Sequence, residues 1–296
     1  MATLQIQPVT DLADPDLKPY RTLRRRKDLE RQRLFVVEGD KVVQRLLESA
    51  YPVDSLLITP AWLDRVRGLL DRRSETITIH LAEKIQIEEI TGFGCYQGIK
   101  AVGRIVDPAA LSSVLGRSPR PRLFAAFDGI SNAENLGVMV RNCAALGVHA
   151  VIVGENSASP FLTRAIRTSM GAIFRLPAVE VEDLVAALEV MRADGVRCVA
   201  AHPSAEGGTL AQTDFTGDCC VVLGSEGYGL RPEVLVHCDE AVAVPMAAGV
   251  DSLNVSSATA VFLYEAARQR GLGRSAPLLT PASVGDLRRV KPSRAP

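Results

Sequence analysis

The second half of the sequence alternates short apolar runs with amphipathic segments, and this alternation constrains the fold more than any other feature. The apolar runs predict strands at Leu123–Phe127, Ala150–Val153, Phe174–Pro177, Val196–Ala201, Cys219–Leu223 and Glu240–Val244. Segments of helical periodicity accompany them at Leu136–Leu146, Pro160–Met170, Val181–Ala193 and Ser256–Arg270. Because parallel strands must be joined by crossovers, this order predicts an α/β fold: a parallel sheet with helices on both faces.

The first 105 residues predict a second, smaller α/β domain. Strand-like runs lie at Leu34–Glu38, Val53–Thr59, Ile77–His80 and Gln97–Ile105, with helical segments at Lys41–Ser49 and Ala61–Leu70. Residues 106–121 are rich in Pro, Ser and Arg and are interpreted as a linker with room for one helical turn. We therefore expect a domain at 1–105, a linker at 106–121, a larger domain at 122–272 and a flexible tail at 273–296.

Composition allows two packed cores but does not identify a partner. Hydrophobic residues make up 47% and charged residues 23%, and 34 basic residues balance 34 acidic ones. A basic cluster at Arg24–Lys27 is either a solvated helix face or a phosphate contact, with Arg25 as the candidate substrate-binding residue. Aromatic residues are only 5% of the chain, so a broad base-stacking platform is not expected.

The cysteines and histidines indicate neither disulfides nor a metal site. The six cysteines contain no C-x-x-C pair and the four histidines are scattered, so we expect buried thiols in a reducing compartment and no metal. The N-terminus lacks a secretory signal pattern, and no apolar run reaches the length of a membrane span. These features predict a soluble, cytoplasmic protein without a membrane partner.

Several common phosphate-binding and nucleophile loops are absent. The first strand of the larger domain is followed by Asp128–Asn132, which does not fit the G-x-G-x-x-G of dinucleotide-binding folds. The sequence also contains neither a P-loop nor a G-x-S-x-G elbow. A nucleotide-dependent oxidoreductase is therefore disfavoured.

Three later segments carry polar residues at the ends of predicted strands and helices. In Phe127–Gly147, Asn132 and Asn135 stand near a helix start, and Arg141 lies in an otherwise apolar run where a cation would be paired or directed at an anion. Val221–Leu230 runs from a strand into a turn with three glycines around Glu226; the alternative is a plain turn capped by Ser225.

The third segment, Val244–Glu265, clusters Ser252, Asn254 and Ser256 at a helix start, where each alone could also be a cap. Between the first and second segments, Arg164 and Arg167 lie on a predicted helix. These two arginines could meet phosphates or solvent equally well.

The order and spacing of these segments closely resemble the motifs of the SpoU/TrmH family of RNA ribose 2′-O-methyltransferases, in the SPOUT superfamily. The matching residues are Asn135 and Arg141 in the first motif, Gly224–Gly227 with Gly229 and Leu230 in the second, and Pro245, Ser252–Asn254 and Ser256 in the third. The resemblance covers about Leu123 to Gly271. More weakly, Phe35–Gly39 and Gln97–Gly98 resemble parts of the family's L30e-like RNA-binding domain.

The resemblance implies a C-terminal trefoil knot, a homodimer and S-adenosylmethionine as the methyl donor. It implies a cofactor site formed by Leu223, Gly224, Gly229, Val244, Pro245, Met246 and Leu253. It also implies catalytic roles for Arg141, Asn135, Glu226, Ser252 and Asn254, with RNA contacts from Arg164, Arg167 and Arg25. The L30e-like domain favours ribosomal RNA over transfer RNA as the substrate.

The chemistry leaves one question open. A ribose hydroxyl becomes a nucleophile only as its proton leaves, and the family's proposed base is the arginine at position 141 here. A guanidinium normally stays protonated in proteins, so a substrate phosphate held by Arg141 is an equally consistent acceptor. Two rival functions also remain: a non-catalytic RNA-binding or ribosome-assembly protein of the same fold, and a methyltransferase that acts on a base.

Overall fold

The structure is a computed structural model that describes residues 2–21, 29, 31–92, 97–107, 109–203 and 208–271. It divides into two compact units. The first comprises Met1–Asp107 and Phe161–Phe174, and the second comprises Pro108–Pro160 and Arg175–Pro296. The predicted tail at 273–296 and the basic cluster with Arg25 lie outside the described residues.

The first unit is built on a five-stranded mixed sheet in the order β1-β4-β3-β5-β2. Its strands are β1 (Thr3–Pro8), β2 (Leu34–Glu38), β3 (Val53–Ile58), β4 (Thr76–Leu81) and β5 (Ile99–Arg104). Strands β1, β4 and β3 run parallel, whereas β5 is antiparallel to both β3 and β2. Among the described residues up to 107, its helices are α1 (Lys18–Arg21), α2 (Asp40–Leu47), α3 (Pro60–Leu70) and α4 (Lys84–Thr91).

The segment 161–174 supplies the remaining part of the first unit, including helix α7 (Thr163–Thr168) and a 3-10 turn at Ala172–Phe174. Its two ends are anchored by aromatic packing. The rings of Phe161 and Phe174 lie 5.7 and 5.5 Å from that of Phe35, and 5.6 and 5.7 Å from that of Tyr51. The predicted strand Phe174–Pro177 is therefore wrong, because the apolar side chain of Phe174 packs in this aromatic cluster and not in a sheet. The strand in this region is instead β8 (Ala178–Glu180).

The second unit contains a six-stranded sheet in the order β11-β9-β10-β6-β7-β8, and every pairing is parallel. Its other strands are β6 (Leu123–Asp128), β7 (Ala150–Val153), β9 (Arg197–Ala201), β10 (Cys219–Gly224) and β11 (Glu240–Val242). Its helices are α5 (Leu111–Arg117), α6 (Ala133–Ala145), α8 (Leu184–Ala193), α9 (Pro232–Leu235) and α10 (Val255–Gln269). The parallel α/β architecture predicted from the alternation of strands and helices is confirmed.

Both faces of this sheet are covered. Alternate strand residues such as Phe124, Ile152 and Val222 form one core with α5, α8 and α9. The intervening residues, such as Ala125 and Val221, are equally buried. They belong to the opposite face, because side chains alternate along a strand. Helix α10 contacts β10 and packs along α6. Strands buried on both faces explain why the apolar runs are continuous.

The stretch interpreted as a linker contains α5, whose Val114 and Leu115 lie in the core of the second unit. Its Pro and Arg content resembles that of a linker, but two apolar residues are enough to hold one short helix against the sheet.

Within the described ranges, no helix is long and apolar enough to cross a membrane, and no cluster of acidic, histidine or cysteine side chains could hold a metal.

Candidate functional site

The carboxyl ends of β6 and β10 bring two loops of the second unit together. The two strands are neighbours, and their register pairs Asp128 with Gly224, the last residue of each strand. In open parallel α/β sheets, ligands bind at this edge, because the loops that follow adjacent strands converge there. The first and second sequence motifs both begin at this edge.

The second motif forms a closed turn, Ser225–Gly229, which we call the glycine loop. The backbone N–H of Ser225 donates to the carbonyl of Gly229 (3.0 Å), and that of Gly229 donates back to Ser225 (2.9 Å). Gly229 has a φ of +69°, a left-handed conformation that favours glycine. A Cβ at Gly224 would overlap the backbone of Gly229 and Leu230. The loop's own closure therefore requires both glycines.

A buried carboxylate that the sequence analysis missed anchors the end of the glycine loop. Asp128, 1% exposed, accepts hydrogen bonds from the backbone N–H of Arg231 (2.8 Å) and from its Nε (2.7 Å). Arg231 also pairs with Glu155 at 2.6 Å, after β7. Burial opposes the charge on Arg231, but the hydrogen bonds and charges of Asp128 and Glu155 outweigh it and raise its pKa. The available signal was a lone acid closing the apolar run LFAAFD.

The first motif opens helix α6 and touches the glycine loop. The Asn132 side chain caps the helix, accepting from the backbone N–H groups of Glu134 (2.8 Å) and Asn135 (3.3 Å). Within the first turn of the helix, Asn135 Nδ2 donates to Oε1 of Glu226. Two residues predicted as catalytic, 91 positions apart in the chain, are thus in direct contact.

Arg141 lies elsewhere on the same helix. It is six positions beyond Asn135, which in an α-helix is about 9 Å along the axis and about a third of a turn around it. Its side chain is exposed, and it makes no hydrogen bond or ion pair with any described residue. Its apolar neighbours in sequence do not surround it in the fold: Val140 is buried in the core, while Arg141 lies on the outer face of the helix. Helical periodicity separates residues that are adjacent in sequence.

The third motif leads into α10. Asn254 is the helix cap, its Oδ1 accepting from the backbone N–H of Ser256 (3.0 Å) and from the Ser256 hydroxyl (2.5 Å). This is the capping role that the sequence left open for Asn254. Next to Arg141, Asn142 Nδ2 donates to the carbonyl of Ser256 (2.9 Å) and joins α6 to the start of α10. Ser252 is exposed and is not brought into contact with the Asn135–Glu226 pair by any hydrogen bond between described residues.

The predicted cofactor residues lie on two stretches of the second unit. Leu223 is buried at the end of β10 and leads into Gly224 and Gly229. Beyond β11, Val244 and Met246 are half-buried and Pro245 is exposed. Leu253 leaves 39% of its surface exposed just before α10.

The predicted RNA-contacting arginines belong to the first unit. Arg164 and Arg167 are exposed on α7. Arg167 pairs at 3.3 Å with Glu38, which also holds the buried ammonium of Lys100 at 3.0 Å. Arg25, the third candidate, lies outside the described residues.

Comparison with known proteins identifies the class. Residues 122–264 match the SpoU rRNA Methylase family, and residues 14–92 match the MRM3-like substrate binding domain. The chain is 32% identical to an uncharacterized tRNA/rRNA methyltransferase of Mycobacterium tuberculosis, across 90% of this chain and 93% of that protein. It is 36% identical to the 23S rRNA (guanosine-2′-O-)-methyltransferase RlmB of Yersinia pestis, across 66% of this chain and 80% of that one.

Solved structures give the same result. The SpoU methyltransferase AviRb of Streptomyces viridochromogenes, in complex with the cofactor AdoMet, superposes with a TM-score of 0.75 at 27% identity, covering 88% of this chain and all of that one. Fold and site together thus define an RNA methyltransferase. This chain belongs to the SpoU rRNA methylase family, as its three motifs predicted.

Proposed function

We propose that this enzyme transfers a methyl group from S-adenosylmethionine to a ribose 2′-hydroxyl of ribosomal RNA. The observation that carries the proposal is the contact between Asn135 and Glu226, which joins the first two motifs at the carboxyl edge of the parallel sheet. The similarity to RlmB, whose name specifies guanosine 2′-O methylation of 23S rRNA, supports both the ribose and the RNA class. Ribosomal RNA as substrate would place the enzyme in the cytoplasm.

The residues proposed for the methyl donor suit an adenosine. Leu223, Gly224 and Gly229 lie at or in the glycine loop, and Val244, Pro245, Met246 and Leu253 follow β11 without a regular element. All are glycine, proline or apolar, so they offer close backbone approach and apolar contact to a base without placing a charge against it. When bound, the donor supplies an activated methyl group on its sulfonium.

The protein's own contribution is to position the ribose and manage its proton. As the ribose oxygen bonded to the methyl carbon and the methyl–sulfur bond broke, leaving a neutral thioether, the hydroxyl proton would have to leave, either to Arg141 or to a substrate phosphate that Arg141 holds. We assign Asn135, Glu226, Ser252 and Asn254 to orienting the ribose and the arginine. The direct contact between Asn135 and Glu226 supports this assignment for those two residues.

We also propose that the active enzyme is a homodimer with a shared site. Within one chain, Arg141 lies on a different face of α6 from the Asn135–Glu226 pair and has no described partner. An exposed arginine on that face can complete the site of a second copy instead. Helix α10 leaves Tyr264 62% exposed and Val261 37% exposed, apolar surface that suits a two-fold contact.

The trefoil knot remains part of the proposal. Strand β10 lies between β6 and β9 in the sheet, and α10 returns after β11 to pack on β10 and α6. Arg270, at the end of α10, donates to carbonyls of Pro121, Arg122 and Phe215. If the chain is knotted, pulling the second unit from its ends should yield a contour length shorter than that of a fully extended chain.

We assign RNA binding to the first unit, as an L30e-like domain, and methyl transfer to residues 122–272. The match of residues 14–92 to a substrate-binding domain supports the first assignment. The exposed Arg164 and Arg167 of α7 are its candidate RNA contacts within the described ranges.

The function is tested by mapping 2′-O-methyl groups in RNA from cells with and without this protein. Loss of one ribosomal 2′-O-methyl site is the expected result, restored by purified enzyme and labelled S-adenosylmethionine in vitro. Loss of a 2′-O-methyl site from transfer RNA would show that transfer RNA is the substrate instead. Detection of a methylated base by mass spectrometry would show that the enzyme acts on a base instead of a ribose. No transfer to any RNA would favour the ribosome-assembly alternative.

A further inference from the structure

Tyr228 stands at the tip of the glycine loop with its ring almost entirely in solvent. Its relative exposure is 97%, the highest of any large apolar side chain among the described residues. Most aromatic rings in the described chain are buried; for example, Phe124, Phe127 and Phe215 are fully inside the second unit. A ring with no packing role inside the chain is available for an external contact.

The ring is held on a rigid base. The two backbone hydrogen bonds between Ser225 and Gly229 close the loop below it, and the backbone N–H of Tyr228 donates to the Ser225 hydroxyl (3.3 Å). The bonds from Asp128 to Arg231 fix the chain just beyond the loop. A preorganised aromatic side chain loses little conformational entropy on binding, because only its two side-chain torsions remain free.

Tyr228 is also close in sequence to the proposed chemistry. Glu226, two residues earlier in the same five-residue turn, contacts Asn135. A methyltransferase that acts on a ribose must hold the nucleotide while leaving its 2′-hydroxyl accessible. Stacking on the base meets that need, since every base has a π-face and the contact does not engage the sugar.

We propose that Tyr228 is a nucleobase-binding residue, which stacks on a base of the RNA at the methylated nucleotide or its neighbour. This rests on the proposed function and extends it by assigning a base contact to a loop otherwise associated with the methyl donor. The hydroxyl of Tyr228 is not needed for stacking, whereas its ring is.

The kinetic test compares Tyr228→Ala and Tyr228→Phe with the wild type, using 23S ribosomal RNA from cells lacking this protein. We expect Tyr228→Ala to raise the KM for RNA about 5- to 150-fold, the range for losing one stacked base. The affinity for S-adenosylmethionine should stay within about twofold. Tyr228→Phe should restore a near-normal KM. Val236→Ala, which removes another exposed apolar side chain (74%), is the matched control and should change nothing.

A direct readout uses fluorescence. The chain has one tryptophan, Trp62, so Tyr228→Trp in a Trp62→Phe background gives a single reporter in the glycine loop. Quenching on addition of the same RNA supports stacking. Unchanged fluorescence together with an unchanged KM in Tyr228→Ala, while the wild type methylates RNA, overturns the stacking proposal alone. A Tyr228→Ala protein whose defect is a lost dimer by light scattering also overturns it. A wild-type protein that methylates no RNA overturns the proposed function and this inference together.

Discussion

Single residues in this enzyme fall into two groups, those the fold already uses and those it leaves available. Asn254 and Asn132 are used as helix caps, and Asp128 and Arg231 as an anchor for the glycine loop. Arg141 and Tyr228 are exposed, and neither side chain bonds to a described residue. Residues of the second group can be changed with little cost to folding, so their variants report on function.

Arg141→Ala should remove methyl transfer while leaving the protein folded. Because the side chain is exposed, its loss should move the melting temperature by no more than a surface substitution does. A positioned charge at a reacting centre commonly contributes about 10²–10⁴ in rate, and we expect single-turnover transfer to fall by that amount. Arg141→Lys should lose methyl transfer as well, because an ammonium group cannot reproduce the planar, two-point hydrogen bonding of a guanidinium. Arg192→Ala on α8 is the control; near-normal transfer by a folded Arg141→Ala protein would contradict the assignment.

His149 should make stability depend on pH. Burial lowers its pKa, and its Nδ1 accepts a hydrogen bond from the backbone N–H of Leu123 (3.0 Å), which requires the neutral ring. At acidic pH the unfolded chain therefore binds a proton at His149 more readily than the folded chain does. As a result, the free energy of unfolding is highest above the ordinary histidine pKa and decreases as the pH falls below that value. Thermal melts at pH 8 and pH 5.5 should show this loss, and His149→Asn should reduce the difference. An equal pH dependence in both proteins would refute the role of His149.

At the scale of elements, the glycine loop shows how backbone geometry limits which residues a turn can contain. Gly224 and Gly227 are both in the sequence motif, yet the structure treats them differently. A Cβ at Gly224 meets the backbone of the opposite side of the loop, whereas a Cβ at Gly227 meets nothing within 4 Å. Gly227 also lacks the positive φ seen at Gly229.

This difference gives a matched pair of variants. Gly224→Ala should open the loop and greatly weaken S-adenosylmethionine binding, measured by calorimetry, because backbone cannot move aside as a flexible side chain can. Gly227→Ala should retain near-normal affinity. Equal affinities in the two variants would show that closure of the loop does not govern the cofactor site.

Much of this level of structure follows from the sequence, and the exceptions have physical causes. The parallel sheet is readable because its strands are buried on both faces, which makes their apolar runs continuous. Strand β1 could not be predicted from the sequence, because it is an edge strand whose residues, Ile6 included, are mostly exposed. The side on which Arg141 emerges also escapes prediction, because it depends on which neighbours α6 meets in the fold.

For the whole molecule, the proposal to test is that two chains together make one active site. The proposed homodimer predicts a mass in solution of about twice 31.8 kDa by light scattering. A shared site makes a stronger prediction. Arg141→Ala and Glu226→Ala proteins, each inactive alone, should regain activity when unfolded, mixed and refolded together.

The reason is that a mixed dimer contains one site with an intact Arg141 from one chain and an intact Glu226 from the other. Half of the dimers are mixed and half of their sites are intact, so about a quarter of wild-type activity should return. If both residues served the same chain, every site would lack one of them and the mixture would stay inactive. Refolding each variant by itself is the control.

The path of the chain through its two units limits how this enzyme can be divided. Residues 161–174 come from the middle of the methyltransferase half, yet their aromatic ends pack on Phe35 and Tyr51 of the first unit. Expressing residues 2–107 alone would expose the rings of Phe35 and Tyr51 to water. Expressing residues 122–271 alone would expose Phe161 and Phe174. A cut at the boundary read from composition thus damages both halves. Exchanging the first unit between relatives would therefore require residues 161–174 to be transferred together with residues 2–107.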